Sequence, residues 1–188
     1  MNTKIKKEKN KGITLVALVI TIIVMLIIAT ITIKIGSDQI KNAHLQSYKT
    51  NMLLIEAKAK EYVENANFEL GVEPSAATQE MKDKSQAELT GEGKGTKVNS
   101  SDSISSKLTS IGISSSDIDA GNVYQLSTAD IEKIGINGEK SDEENGYYVL
   151  LYNIPEATVK VYNTKGFNAG NAGVKYCLDD IRDIDEVE

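Results

Sequence analysis

Between Ile13 and Ile33 the chain reads ITLVALVITIIVMLIIATITI, 21 positions of which 17 are apolar, four are Thr and none is charged. As an α-helix such a run spans about 31 Å, the thickness of a bilayer's hydrocarbon core. Downstream the pattern changes. Leu45, Tyr48, Met52, Ile55, Ala59, Tyr62 and Ala66 recur at alternating spacings of three and four, which places them on one face of a helix. Lys49, Asn51, Glu56, Lys60 and Glu64 fall opposite them. No Pro interrupts the chain between Ile13 and Val72, so the two segments are compatible with one continuous helix. Gly36-Ser37-Asp38 is the expected bend, because Gly costs about 1 kcal/mol inside a helix and Ser or Asp can start a new one. Residues 13–33 thus read as a transmembrane half and 34–70 as an amphipathic half of a long helix.

Residues 71–122 form a polar, Ser/Gly-rich connection with short helices: 71–99 reads as a surface connection with a helical turn at Ala76–Ser85, and 100–116 carries a short helix with Ile104, Leu108 and Ile111 at helical spacing. Asp102 is placed to cap the second, and Gly112 to end it. The GEGKG at 91–95 does not match the phosphate-binding G-x-x-x-x-G-K-[ST] and reads as a flexible loop. Ser127–Gly135 opens with an S-x-x-D capping arrangement and closes on Gly, a short helix burying Ile131 and Ile134. Tyr147–Tyr152 and Thr158–Tyr162 read as strands joined by the turn Asn153–Ala157, hence antiparallel. Asn163–Gly166 then opens a Gly/Asn-rich loop, and Val174–Leu178 reads as a third strand or an edge. Residues 123–178 make a small α/β head and 179–188 an acidic tail, giving an α+β fold class.

Charge and composition narrow the chemistry. The net charge is −6, with 27 acidic and 21 basic residues. No basic run follows residue 12, which argues against a nucleic-acid partner. The single Cys (Cys177) excludes an intramolecular disulfide, and the single His (His44) makes a His-dependent catalytic set improbable. Apolar neighbours make Cys177 a buried thiol, and His44 reads as a polar helix residue. The tail acids Asp179, Asp180, Asp183, Asp185, Glu186 and Glu188 lack the order of a calcium loop and read as a solvated end. Six of the eight Tyr lie between Tyr124 and Tyr176 and read as half-buried filler of a small sheet rather than a binding groove. No nucleophile–base pair, metal set or cofactor motif is present in the sequence, so the expectation is a non-enzyme with no cofactor.

The N-terminus carries the most specific signal. Residues 1–12, MNTKIKKEKNKG, hold five Lys against one Glu. By the positive-inside rule this flank stays cytoplasmic and the chain beyond Ile33 is exported. The apolar run is longer than the core of a secretory signal peptide, and no small-x-small site closes it. Lys11-Gly12-Ile13-Thr14-Leu15 joins a basic leader ending in Gly to an apolar run opening with Ile-Thr-Leu. This junction resembles the prepilin leader of type IV pilins and type II secretion pseudopilins. The resemblance implies cleavage by a prepilin peptidase after Gly12 and N-methylation of Ile13, with Thr14 and Leu15 matching the next two positions and Lys11 the basic leader. It further implies a pilin-like fold, a long N-terminal helix packed on a small head with an antiparallel sheet. The partners it implies are membrane lipid, the peptidase, and copies of itself or other pilins through Ile13–Ile33. Loss of the leader takes the net charge from −6 to −10. The usual Glu of the fifth mature position is Ala17 here, which removes the counter-charge for a neighbour's amine in a filament core. The competing expectation is a single-pass anchored protein with an acidic extracellular head.

Overall fold

The computed structural model describes residues 15–186, with side chains described for 18–27 and 39–186. The first helix, α1 (Leu15–Leu70), is assigned without interruption through Gly36-Ser37-Asp38, so the expected bend does not break it. The chain divides into two compact units, Met1–Lys41 and Asn42–Glu188.

In the second unit the stripe read from the sequence is the buried face of α1. Leu45, Met52, Ile55, Ala59, Tyr62 and Ala66 are buried, joined by Val63 and Leu70, while Tyr48 is partly buried. The sheet has five antiparallel strands in sequence order: β1 (Thr96–Lys97), β2 (Val123–Leu126), β3 (Tyr148–Asn153), β4 (Thr158–Asn168) and β5 (Val174–Cys177). Alternation along the strands assigns the two faces. Tyr124, Leu126, Tyr148, Leu150, Tyr152, Val159 and Val161 share one apolar core with α1. Val123, Val149, Tyr162 and Cys177 belong to a second core on the other face.

That second core corrects one expectation. The stretch 71–122 is not a mere surface connection, because Val98, Leu108, Ile113 and Ile118 from it close the far face of the sheet. It contributes α2 (Gln79–Ala87), α3 (Ser105–Ser110) and α4 (Ser115–Asp119). Beyond the helical spacing of Ile104, Leu108 and Ile111 its apolar residues are scattered among Ser and Gly, yet a sheet covered on one face needs only a few of them on the other. The 91–95 loop is likewise held. Gly93 N donates to Asp130 Oδ1 at 3.1 Å, and at Gly95 (φ +82°) a Cβ would lie 2.7 Å from the Gln125 carbonyl. Asp102 does not cap α3; its carboxylate accepts from the Asn99 amide.

Two other elements follow the sequence. In α5 (Thr128–Ile134) Ser127 and Asp130 form a reciprocal capping box, and Gly135 ends the helix at φ +104°. The β3–β4 pair is antiparallel with Val149 opposite Tyr162 and Leu150 opposite Val161. The Gly/Asn-rich segment after Tyr162 extends β4 instead of leaving the sheet. The pairing with β5 shifts between Tyr162 and Phe167, a bulge at which Gly166 leaves room for Val174 and the Tyr176 ring. A final helical turn, α6 (Leu178–Ile181), seats Leu178 and Ile181 in the α1-side core.

Candidate functional site

The processing junction read from the sequence lies mostly outside the described residues: Lys11, Gly12, Ile13 and Thr14 precede them. Leu15 opens α1, and Ala17 lies in its first turn, but their side chains are outside the description. The described part of the apolar run, Leu18–Ile27, has a distinct character. Its large apolar side chains are exposed on every side of the helix, from 44% at Val19 to 72% at Met25. Its one polar side chain, Thr21, returns its hydroxyl to the Leu18 carbonyl at 2.8 Å and presents nothing outward. A helix that is apolar all round is a buried or membrane-type helix. Among the described residues no helix is long and apolar enough to cross a membrane; they include the side chains of ten positions of the run.

In the head, the tyrosines act as packing. Tyr124, Tyr148 and Tyr152 are at most 1% exposed. The Tyr124 and Tyr152 rings meet edge to face at 5.5 Å. Tyr148 donates its hydroxyl to Glu139 Oε1 at 3.1 Å, and Asn51 Nδ2 donates to Glu139 Oε2 at 3.1 Å, so Glu139 ties the loop after α5 to α1. Tyr124 donates to Gln86 Oε1 at 3.2 Å. The Tyr48 and Tyr152 hydroxyls are buried with no partner among the described residues. Burial pushes the Tyr152 phenol well above its ordinary range. Burial, then the nearby Glu139 carboxylate, does the same at Tyr148 and Tyr48. Each of these phenols is thereby held in its neutral form at neutral pH.

Cys177 is buried, and burial raises its thiol, which favours the unreactive protonated form. His44 is exposed on α1. Of the tail acids, Asp179 pairs with Arg182 at 3.6 Å, and Arg182 in turn reaches Glu56 of α1 at 2.8 Å. Asp180, Asp183, Asp185 and Glu186 are exposed. Among the described residues no three His, Cys, Asp or Glu side chains are grouped to hold a metal ion.

A cleft of about 380 Å³ opens where α1 ends, between α2, β1 and the β3–β4 turn. Leu70, Ile154 and Pro155 form its apolar wall, and Lys82, Gln86 and Lys97 its polar rim. Sequence reading missed this site. Lys82 lies on a helix and Lys97 on a two-residue strand, and no spacing along the chain signals that the fold brings them together. Comparison of the chain with known protein families, with curated proteins and with solved structures gives no match.

Proposed function

We propose that this chain is a structural subunit of a type IV pilus-like or pseudopilus filament, serving secretion, adhesion, motility or DNA uptake, and that it performs no catalysis. In this reading prepilin peptidase removes residues 1–12 between Gly12 and Ile13. The apolar helix then holds the subunit in the membrane before assembly and packs against copies of itself or other pilins afterwards, with the head outside the cell. The observation that carries the reading is the helical surface Leu18–Ile27, apolar on all sides and uncovered, directly behind a basic leader that ends in Gly. Each such side chain gains about 1.5–3 kcal/mol on full burial, so lipid or neighbouring helices must cover it. A head that rests one amphipathic helical face on an antiparallel sheet accords with a pilin-like arrangement.

Intact mass and N-terminal sequencing of the protein from its native membrane test this. The expected chain starts at N-methylated Ile13. A chain still starting at Met1, in cells with an active prepilin peptidase, leaves a single-pass anchored protein with an acidic head and defeats the filament reading. Replacing Ala17 by Glu is expected to strengthen incorporation into filaments; unchanged incorporation would remove the counter-charge argument.

A further inference from the structure

We propose that the cleft at the end of α1 receives the acidic segment Asp183–Glu186 of a second copy of this chain, an inference that rests on the filament reading above. The cleft presents donors over an apolar wall. Like several other exposed lysines, Lys82 and Lys97 have no carboxylate partner among the described residues, and these two share one cleft. Gln86 commits its Oε1 to the Tyr124 hydroxyl, which leaves its amide NH2 as the free group. The Lys97 side chain lies across Gly121, where a Cβ would collide with it, so its placement depends on that glycine. Two ammonium groups and an amide NH2 around Leu70, Ile154 and Pro155 suit a short acidic peptide.

The same molecule carries such a peptide. Lys49 Nζ donates to the Ile184 carbonyl at 3.0 Å, and Ile184 packs against the α1-side core. With Ile184 held, Asp183, Asp185 and Glu186 are exposed and have no cationic partner among the described residues. The two features sit at opposite ends of the head. Asn67 of α1 donates to the Ile154 carbonyl beside the cleft at 2.8 Å, while Lys49 marks the tail. The intervening turns of α1 separate them by about 27 Å. A head cannot satisfy this contact with its own tail. Between copies the contact is heterologous, and repeated it propagates along a line rather than closing a pair.

The test uses the full-length chain in native membranes, as a mixture of isotopically light and heavy subunits. A carbodiimide condenses a lysine amine with a carboxylate in contact with it, forming an amide while the reagent takes up the water as a urea. Light–heavy cross-links from Lys82 or Lys97 to Asp183, Asp185 or Glu186 are expected. Their yield should fall about tenfold in about 1 M salt, where the screening length is about 3 Å, while Lys82→Glu with Lys97→Glu, which removes the amines themselves, should lower pelleting about tenfold. Mixing that variant with Asp183→Lys/Asp185→Lys subunits should restore joint pelleting. Both lysines are exposed. If circular dichroism shows that the reversal variant has lost its fold, Lys82→Gln with Lys97→Gln gives the same reading. Pelletable filaments without these cross-links, or with lysine links to another protein only, overturn the contact and leave the filament reading standing. A full-length chain that neither pellets nor cross-links defeats both.

Discussion

Raising the pH should unfold the head through its tyrosines. Tyr148 and Tyr152 are at most 1% exposed, and both phenols are held far above their ordinary range. At Tyr152 the cause is burial. At Tyr148 it is burial first and then Glu139, whose carboxylate accepts the phenol's proton in a hydrogen bond. In the unfolded chain a tyrosine ionises near pH 10. Because the folded value is raised, the contribution to stability is complete below about pH 10 and is lost as pH climbs from there toward the folded value. Each group adds a slope of about 1.4 kcal/mol per pH unit, so the two together cost about 2.7 kcal/mol per unit and about 5 kcal/mol by pH 12. That loss matches the whole stability of many small domains, about 5–15 kcal/mol. Tyr48 and Tyr162, also raised by burial, steepen the fall. The assay follows tyrosinate absorbance and far-ultraviolet circular dichroism together on the unit Asn42–Glu188, which contains all eight tyrosines and both apolar cores. Part of the phenolate signal should appear only with the collapse of the helical signal. Ionisation of all eight with the dichroism intact would refute the reasoning.

Four substitutions probe the same core and its borders by denaturant unfolding. Tyr152→Phe deletes a buried hydroxyl with no partner among the described residues and should stabilise by about 1 kcal/mol, whereas Tyr124→Phe breaks a bond to Gln86 and should cost about 0.5–1.5 kcal/mol; equal signs would show that the Tyr152 hydroxyl has a partner. Gly95→Ala forces a side chain against the Gln125 carbonyl at φ +82° and should cost about 1–3 kcal/mol, so a neutral result would mean that the loop moves away freely. Ser127→Ala removes the capping box of α5 and should cost about 1 kcal/mol, with faster amide exchange at Ala129–Ile131; unchanged exchange there would show that packing of Ile131 alone holds the helix.

How far the fold was legible depended on whether a segment buries one face or two. The stripe from Leu45 to Ala66 was readable because α1 covers one side of the sheet and leaves its other side wet, so polar and apolar positions separate cleanly. β3 and β4 were readable from dense β-branched and aromatic runs. β2 was not, since Val123-Tyr124-Gln125-Leu126 is only four residues long and carries buried side chains on both faces. The continuation of β4 was hidden because Gly166 signals a turn in sequence, and in the sheet the same freedom serves a bulge. The connection 71–122 misled for a related reason. The spacing of Ile104, Leu108 and Ile111 revealed α3, but Ser-rich α3 and α4 bury one residue each, Leu108 and Ile118, too few to show that they cover a sheet. The cleft was invisible in principle, since only pairing of β1 with β2 brings Lys97 to the end of α1.

The two regions of the molecule differ in how far each buries its own apolar surface. The head buries an apolar core on each face of its sheet. Leu18–Ile27 does not, and exposing about half of nine large side chains withholds roughly 10 kcal/mol of burial, comparable to the stability of a domain. That sum obliges the segment to be covered but does not select the cover. Lipid tails are as apolar as leucine, so exchanging lipid for a neighbouring helix yields packing but little hydrophobic gain. In the filament reading a charged pair between neighbours would ordinarily add direction, and Ala17 cannot supply its carboxylate. The balance between a subunit resting in lipid and one joined to a filament then shifts to contacts made by the head. In that reading a cationic cleft at one end and an acidic segment at the other would provide a contact that acts only between copies, weakens with salt, and requires no charge within hydrocarbon.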